Sequence, residues 1–213
     1  MKPLRLLVLL ALLGAFARAG AGELSITAKN AKGEPVADAV VSLTPLDAAV
    51  PPPVRDAAGE IGQKDQEYTS YVTVVQAGSK VVFPNMDSVQ HHVYSLSKTK
   101  KFELPLYNPG AAESLVFEVP GLVTLGCNIH DWMLAYLVVV PTPYFAKTDG
   151  AGAARVSAPA GRYRLELWHP RQAAPLAEEI TLADTAATRE FTLTLKPDRR
   201  IRRGPESKSG GYR

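Results

Sequence analysis

The chain has a single cysteine, Cys127, among 213 residues. One thiol cannot make an internal disulfide, so the stapled framework of a small cysteine-rich secreted domain is excluded. Long apolar runs are equally scarce: the run over residues 6–13 falls short of the ~20 residues a spanning helix needs, and no later segment is longer and as apolar. No window carries a sustained 3.6-residue hydrophobic period, which argues against long amphipathic helices. The serines lack a nucleophile motif such as G-x-S-x-G. No aromatic residues interleave the basic run at residues 199–203, so a nucleic-acid site is not indicated.

What is present begins with a leader. Lys2 and Arg5 precede the apolar run, and small residues follow with A-x-A cleavage patterns ending at Ala19 or Ala21. That order predicts a signal peptide over residues 1–21, cleavage, and export, most simply to a bacterial periplasm. The net charge of +3 hides an asymmetry. Lys2, Arg5 and Arg18 belong to the leader, and the tail at residues 196–213 carries seven basic and two acidic side chains. Taking +3 and +5 from the total leaves the body at −5. The tail has too few apolar residues to fold and is expected to be disordered.

The body reads as all-β. Short β-rich runs (LSITA, AVVSL, YVTVVQ, KVVF, SLVFEV, LAYLVVV, YRLELW, REFTLTL) are punctuated by Gly, Pro, Asn and Asp, the signature of a sandwich or barrel. Pro51, Pro52 and Pro53 mark a linker near residues 46–65, and a second boundary falls around residues 141–153. Outside those boundaries lie G-x-P-V-x-x-A-x-V, with Gly33 and Pro35, then T-D-x-x-G and P-A-G-x-Y, with Thr148, Asp149, Pro159, Gly161 and Tyr163. These motifs resemble a carboxypeptidase regulatory-like (transthyretin-like) β-sandwich. The likeness implies a discontinuous sandwich of residues 23–45 and 146–195, interrupted by a separate domain over about 65–140. One larger sandwich, or two domains side by side, fits the same strands.

The lone thiol sits in GCNIHDWM, residues 126–133, between two strand-like runs. A free thiolate is at risk in an oxidising compartment, and metal binding removes that risk. Cys127, His130 and Met133 follow C-x2-H-x2-M, and a tight turn lets all three converge. A thiolate, imidazoles and a thioether suit copper: two His and one Cys with a weak axial Met form the blue-copper arrangement. Structural zinc sites rarely use a thioether. The fourth ligand must be another histidine. His91 and His92 are adjacent and point to opposite faces if extended, so at most one ligates. His169, before a proline, reads as a surface residue.

Two segments together, Asn85-Met86-Asp87-Ser88-Val89-Gln90-His91-His92-Val93 and Cys127…His130…Met133, resemble the cupredoxins. The nearest likeness is to the short-loop amicyanin kind, with N-x-[DE]-x-x-x-H-N-V upstream and C-x2-H-x2-M downstream. The wording also resembles proteins described as plastocyanin-like or methylamine-utilization proteins. The likeness implies a Greek-key cupredoxin β-sandwich over about residues 65–140, with one type 1 copper held by His91, Cys127, His130 and Met133. His92 stands where the family usually has an asparagine tying the two copper loops, and remains the alternative ligand. The loop also lacks the prolines of the amicyanin loop.

The function implied is a periplasmic carrier of single electrons between redox proteins, such as a cytochrome or dehydrogenase, and not an enzyme. Four histidines cannot furnish further copper centres beyond one type 1 site, and a dinuclear purple site needs two cysteines. The alternatives are a copper storage, delivery or sensor module, and a sandwich-based binding protein with an incidental copper domain. His130 is the expected electron port. Trp132 reads equally as docking patch or as cover over the loop, and Asp131 as a solvated charge. Tyr94, Phe102, Tyr107 and Tyr136 read as packing residues.

Overall fold

The computed structural model describes residues 21–53, 58–198 and 200, and every regular element among them is a β-strand. The all-β expectation holds. Residues 1–20 of the signal peptide expected over 1–21, with the expected cleavage point after Ala19, and the expected tail beyond residue 200 lie outside the described residues. No helix among the described residues is long and apolar enough to cross a membrane.

Local patterning explains the strands. In Ala153–Pro159 every second side chain is buried, Ala154, Val156 and Ala158, while Arg155 and Ser157 face water. That period of two gives a sheet one apolar face, which must find another sheet. Two sheets do so around one core. The first has the order Ala153–Pro159, Ala21–Asn30, Ala187–Leu193, and the second Phe145–Lys147, Val40–Pro45, Gly161–Trp168, Leu176–Leu182. Leu24, Ile26, Leu43, Leu165, Leu167 and Leu193 fill the space between them. Strands from the two ends of the chain thus share this core, with Phe145 paired to Ser42.

The middle of the chain builds a second core. A three-stranded sheet (Ala112–Phe117, Ser79–Pro84, Ala58–Glu60) faces a five-stranded one (Val72–Gln76, His130–Val140, Gly121–Cys127, Val93–Leu96, Lys101–Glu103). Phe83, Phe117, Leu125 and Leu137 lie fully buried in this second core. Val72–Gln76 runs parallel to His130–Val140, which demands a crossover rather than a hairpin. Ala58–Glu60 pairs in parallel with Ser79–Pro84, and Ile61 is fully buried in the same core. Ordered pairing therefore begins inside the stretch expected as a linker.

A third, smaller cluster joins the two cores: Val40, Val72 and Val140, with Tyr71, Tyr136, Phe145 and Trp168 against them. Tyr136 stands edge-on to both Tyr71 and Trp168, at ring-centroid distances of 5.5 and 5.8 Å. Lys147 adds a bond from its ammonium to the Val72 carbonyl at 2.7 Å.

His169 departs from its reading as a surface residue. It is buried, with 5% of its surface exposed, and its Nδ1 accepts the Arg171 backbone N–H at 3.2 Å. Burial, reinforced by the Arg171 charge, lowers its pKa from 6.5 to about 4. The unfolded chain takes up this proton near pH 6.5 and the folded one resists until about pH 4. His169 therefore contributes stability in full above pH 6.5, and that contribution drains away as pH falls toward 4. His169→Gln should flatten the fall in urea midpoint between pH 7 and 4.5; parallel curves for mutant and wild type would refute this account.

Candidate metal centre

Gly121–Cys127 and His130–Val140 form a hairpin closed by a turn at Asn128 and Ile129. Cys127 pairs with His130, but the preceding Gly126 pairs with Leu134. Asp131, Trp132 and Met133 are therefore extra residues on one strand, a bulge that re-aims side chains at the strand's start. Gly126 packs closely against the outer end of the Tyr94 side chain. A Cβ at this position would lie 2.8 to 3.0 Å from Tyr94 ring atoms, and its carbonyl accepts the Tyr68 hydroxyl at 2.9 Å.

Cys127 is buried and free. Its Sγ lies 3.5 Å from His130 Nδ1 and 3.8 Å from His91 Nδ1. The His91 and His130 rings lie 4.9 Å apart, centroid to centroid, and the three potential ligand atoms fall within 4.8 Å of one another. These separations suit a shared ion. Metal–sulfur bonds of about 2.3 Å and metal–nitrogen bonds of about 2.0 Å set N and S roughly 3.5–3.8 Å apart, at angles between tetrahedral and trigonal. Met133 is buried, on the inward face of its strand with Ala135 and Leu137.

His91 comes from the distant segment that the sequence pattern singles out. Its backbone is clamped to Tyr107 by two bonds, His91 N–H to Tyr107 carbonyl at 3.2 Å and the reverse at 3.1 Å. Asn85 builds the loop between Pro84 and His91: its side-chain oxygen accepts the Asp87 N–H at 3.0 Å, and its amide donates to the Val89 carbonyl at 2.9 Å. The N-x-D-x-x-x-H spacing thus has a local physical meaning, an Asx-type turn that delivers both Asp87 and His91. Asp87 Oδ2 faces His91 Nε2 at 3.1 Å. Burial raises the Asp87 pKa, but the Gln66 and Ser88 N–H groups and His91 outweigh it, leaving the carboxyl below its ordinary value.

His92 turns elsewhere. Its Nδ1 accepts from the Asn128 side-chain amide at 3.3 Å, and its Nε2 lies 2.9 Å from Glu103. Asn128 N–H also donates to the His92 carbonyl at 3.0 Å. This residue therefore ties the two ligand-bearing loops together, in the position where cupredoxins usually place asparagine.

Trp132 is half-buried with its indole N–H bonded to the Gln66 carbonyl at 2.8 Å, and its ring lies 5.4 Å from that of His130. Asp131 is exposed. Several neighbours escaped the sequence reading. Gln63 accepts the Tyr107 hydroxyl, and burial pushes the Tyr107 phenol well above its ordinary pKa. Asp87 was visible only as the acidic position of the upstream pattern, and Gln66 acts through its backbone, for which no composition signal exists.

No protein-family model matches the chain, and no curated protein matches it. Solved structures do. A purple cupredoxin from Nitrosopumilus maritimus is similar over 38% of this chain and 98% of its own, with 25% identity and a TM-score of 0.35. A Cu(I) amicyanin mutant is similar over 46% of this chain and 97% of its own, with 21% identity and a TM-score of 0.36. A copper-containing nitrite reductase from Thermus scotoductus SA-01 shares 18% identity over 46% of this chain but 25% of its own, with a TM-score of 0.37.

Proposed function

We propose that this protein is a cupredoxin-like carrier, binding one type 1 copper through His91, Cys127, His130 and Met133 and passing single electrons between redox proteins outside the cytoplasm. The observation that carries the reading is the convergence of two imidazole Nδ1 atoms, at 3.5 and 3.8 Å, on the sulfur of the sole cysteine. Thiolate with two imidazoles and an axial thioether, here assigned to the buried Met133, is the donor set of blue copper, whereas closed zinc sites use harder fourth ligands. Bound copper would supply a one-electron Cu(I)/Cu(II) couple. The chain's part is to hold the donors still: His91 through the Tyr107 clamp, Cys127 in the core, His130 against His91 and Trp132. His130 is only half-buried, which supports its role as the edge facing a partner. Exposed Ile129 beside it and exposed Met86 beside Asp87 offer apolar contact for a docking cytochrome or dehydrogenase. The leader pattern supports export to a periplasm.

The shared core of Leu24, Ile26 and Leu165 supports reading residues 23–45 and 146–195 as one interrupted sandwich. That sandwich is proposed as the support of a copper domain over about 65–140.

Copper-loaded protein should show an intense visible thiolate-to-copper band, and Cys127→Ala should lose it completely. A colourless wild type, or colour surviving Cys127→Ala, would sink the copper reading. Tight Cu(I) binding without electron exchange with any small cytochrome would instead favour storage or delivery.

A further inference from the structure

At the seam of the two cores lies a cleft of about 450 Å³, within the size range of small-molecule sites. Its walls are partly apolar: Tyr71 and Tyr136, from the cluster that joins the cores, with Pro170 and Pro197. Its charged side chains are Arg171, Lys196, Asp198 and Arg200. Three cations against one carboxylate leave the lining positive by two charges. Tyr71 adds no negative charge, because burial pushes its phenol up to about 12 and the hydroxyl keeps its hydrogen.

Beyond the last strand, Ala187–Leu193, the chain crosses this seam and fixes the cations in place. Lys196 N–H donates to the Arg171 carbonyl at 2.8 Å, and Arg171 Nε donates back to the Lys196 carbonyl at 2.6 Å. Two bonds thus strap Arg171 and Lys196 together. Arg200 then lays its guanidinium over the Tyr71 ring, with Cζ 4.0 Å from the centroid, a cation–π contact that closes the strap against the other half. The charges are not balanced from within. Arg200 takes both oxygens of Asp198, with Nε 3.0 Å from each and Nη2 2.6 Å from Oδ2. Asp198 reaches Arg171 only as a longer-range attraction. Asp38 also acts on Arg200 at range, but its own ion pair is with Lys147 at 2.8 Å. Among the described residues neither Arg171 nor Lys196 forms an ion pair. The strap therefore holds two like charges side by side in a half-apolar cleft, an arrangement that concentrates anions there.

We infer that this seam cleft binds a small aromatic anion, whose carboxylate or phosphate group is held by Arg171 and Lys196 and whose ring covers the tyrosine and proline walls. With Nε of Arg171 spent on the strap, the terminal nitrogens of its guanidinium remain to meet an oxyanion with parallel N–H groups. The Lys196 ammonium adds a point charge beside them. A bare inorganic anion would engage the cations alone and leave Tyr136 and the prolines wet, whereas a ring buries them. The site uses none of the metal donors and does not rest on the copper reading.

The test titrates the metal-free full chain with benzoate and with phenyl phosphate by calorimetry at low salt, each against its ring-less counterpart, acetate or inorganic phosphate. At least one aromatic anion should bind saturably, roughly 10-fold or more tighter than its counterpart. Lys196→Met and Arg171→Met should each weaken that binding roughly 10-fold or more, the scale of a lost hydrogen bond to a charged group. Lys101→Met, at an exposed lysine outside the cleft, should leave it unchanged. Lys196 is itself exposed, so its replacement keeps the fold and the test stands even if Arg171→Met loosens the strap. No saturable binding of either aromatic anion, no gain over the ring-less counterparts, or equal affinity in wild type and Lys196→Met overturns the proposal. A protein that stays colourless with copper yet binds the aromatic anion removes the copper reading and leaves this site standing.

Discussion

His91→Ala is expected to erase the visible copper band, while His92→Ala keeps it. The two residues are neighbours in sequence and opposites in surroundings. His91 is fully buried, with Nδ1 directed at the cysteine sulfur. Both ring nitrogens of His92 are engaged on the far side, by Asn128 and by the exposed carboxylate of Glu103. Turning His92 inward would strip it of both partners and unhook the Asn128 turn that carries Cys127 and His130. On the proposed ligand set, losing His91 removes a donor outright, so its cost in copper affinity should exceed the roughly 10- to 100-fold typical of an outer partner. His92→Ala should fall within that range, with a small shift of the band as the loops loosen. Absorption spectra and copper competition on the two variants check this, and a blue His91→Ala beside a colourless His92→Ala would reverse the assignment.

How much of this was legible in advance follows from where the information lies along the chain. Cys127 and His130 flank one two-residue turn, so spacing and β context alone bring them together. The all-β class is equally local, since each strand writes its own alternation, as Ala153–Pro159 does. The upstream histidine needed the N-x-D-x-x-x-H pattern, whose meaning is the side-chain turn made by Asn85. The hairpin at residues 63–68 begins inside the Gly-, Asp- and Gln-containing stretch that reads as linker up to residue 65. Its contribution runs through backbone groups at left-handed φ, where residue type says little. His169 was misread for a related reason: polar and next to Pro170, it looks like surface, but the backbone of Arg171 folds over it and satisfies its Nδ1. Contacts made through the main chain leave little trace in composition.

Phe83→Ala should be the most destabilising single change in the second core, the one beside the candidate metal centre. Phe83 is fully buried, and its ring meets Phe102 and Phe117 at centroid distances of 6.1 and 6.5 Å, while those two meet each other at 6.0 Å. Truncation loses the burial of one ring, two tilted aromatic contacts and leaves a cavity that three strands must close. Large-to-small changes of this kind cost about 3–5 kcal/mol, roughly a fifth or more of the roughly 5–15 kcal/mol that stabilises an ordinary domain. Leu96→Ala is the matched contrast: Leu96 is 72% exposed, and such surface changes stay within about 0.5 kcal/mol. Urea midpoints of the metal-free variants measure both, and equal midpoints would show that the ring cluster is not the keystone of this core. Phe83 lies one residue before Pro84 and two before Asn85, on the strand that launches the His91 loop. Its cavity should therefore loosen the His91 side of the centre before the Cys127 hairpin, which is pinned separately by Tyr68 and Tyr94. Amide exchange in metal-free Phe83→Ala should then quicken at His91 and its bridge partner Tyr107 more than at Leu125 or Ala135.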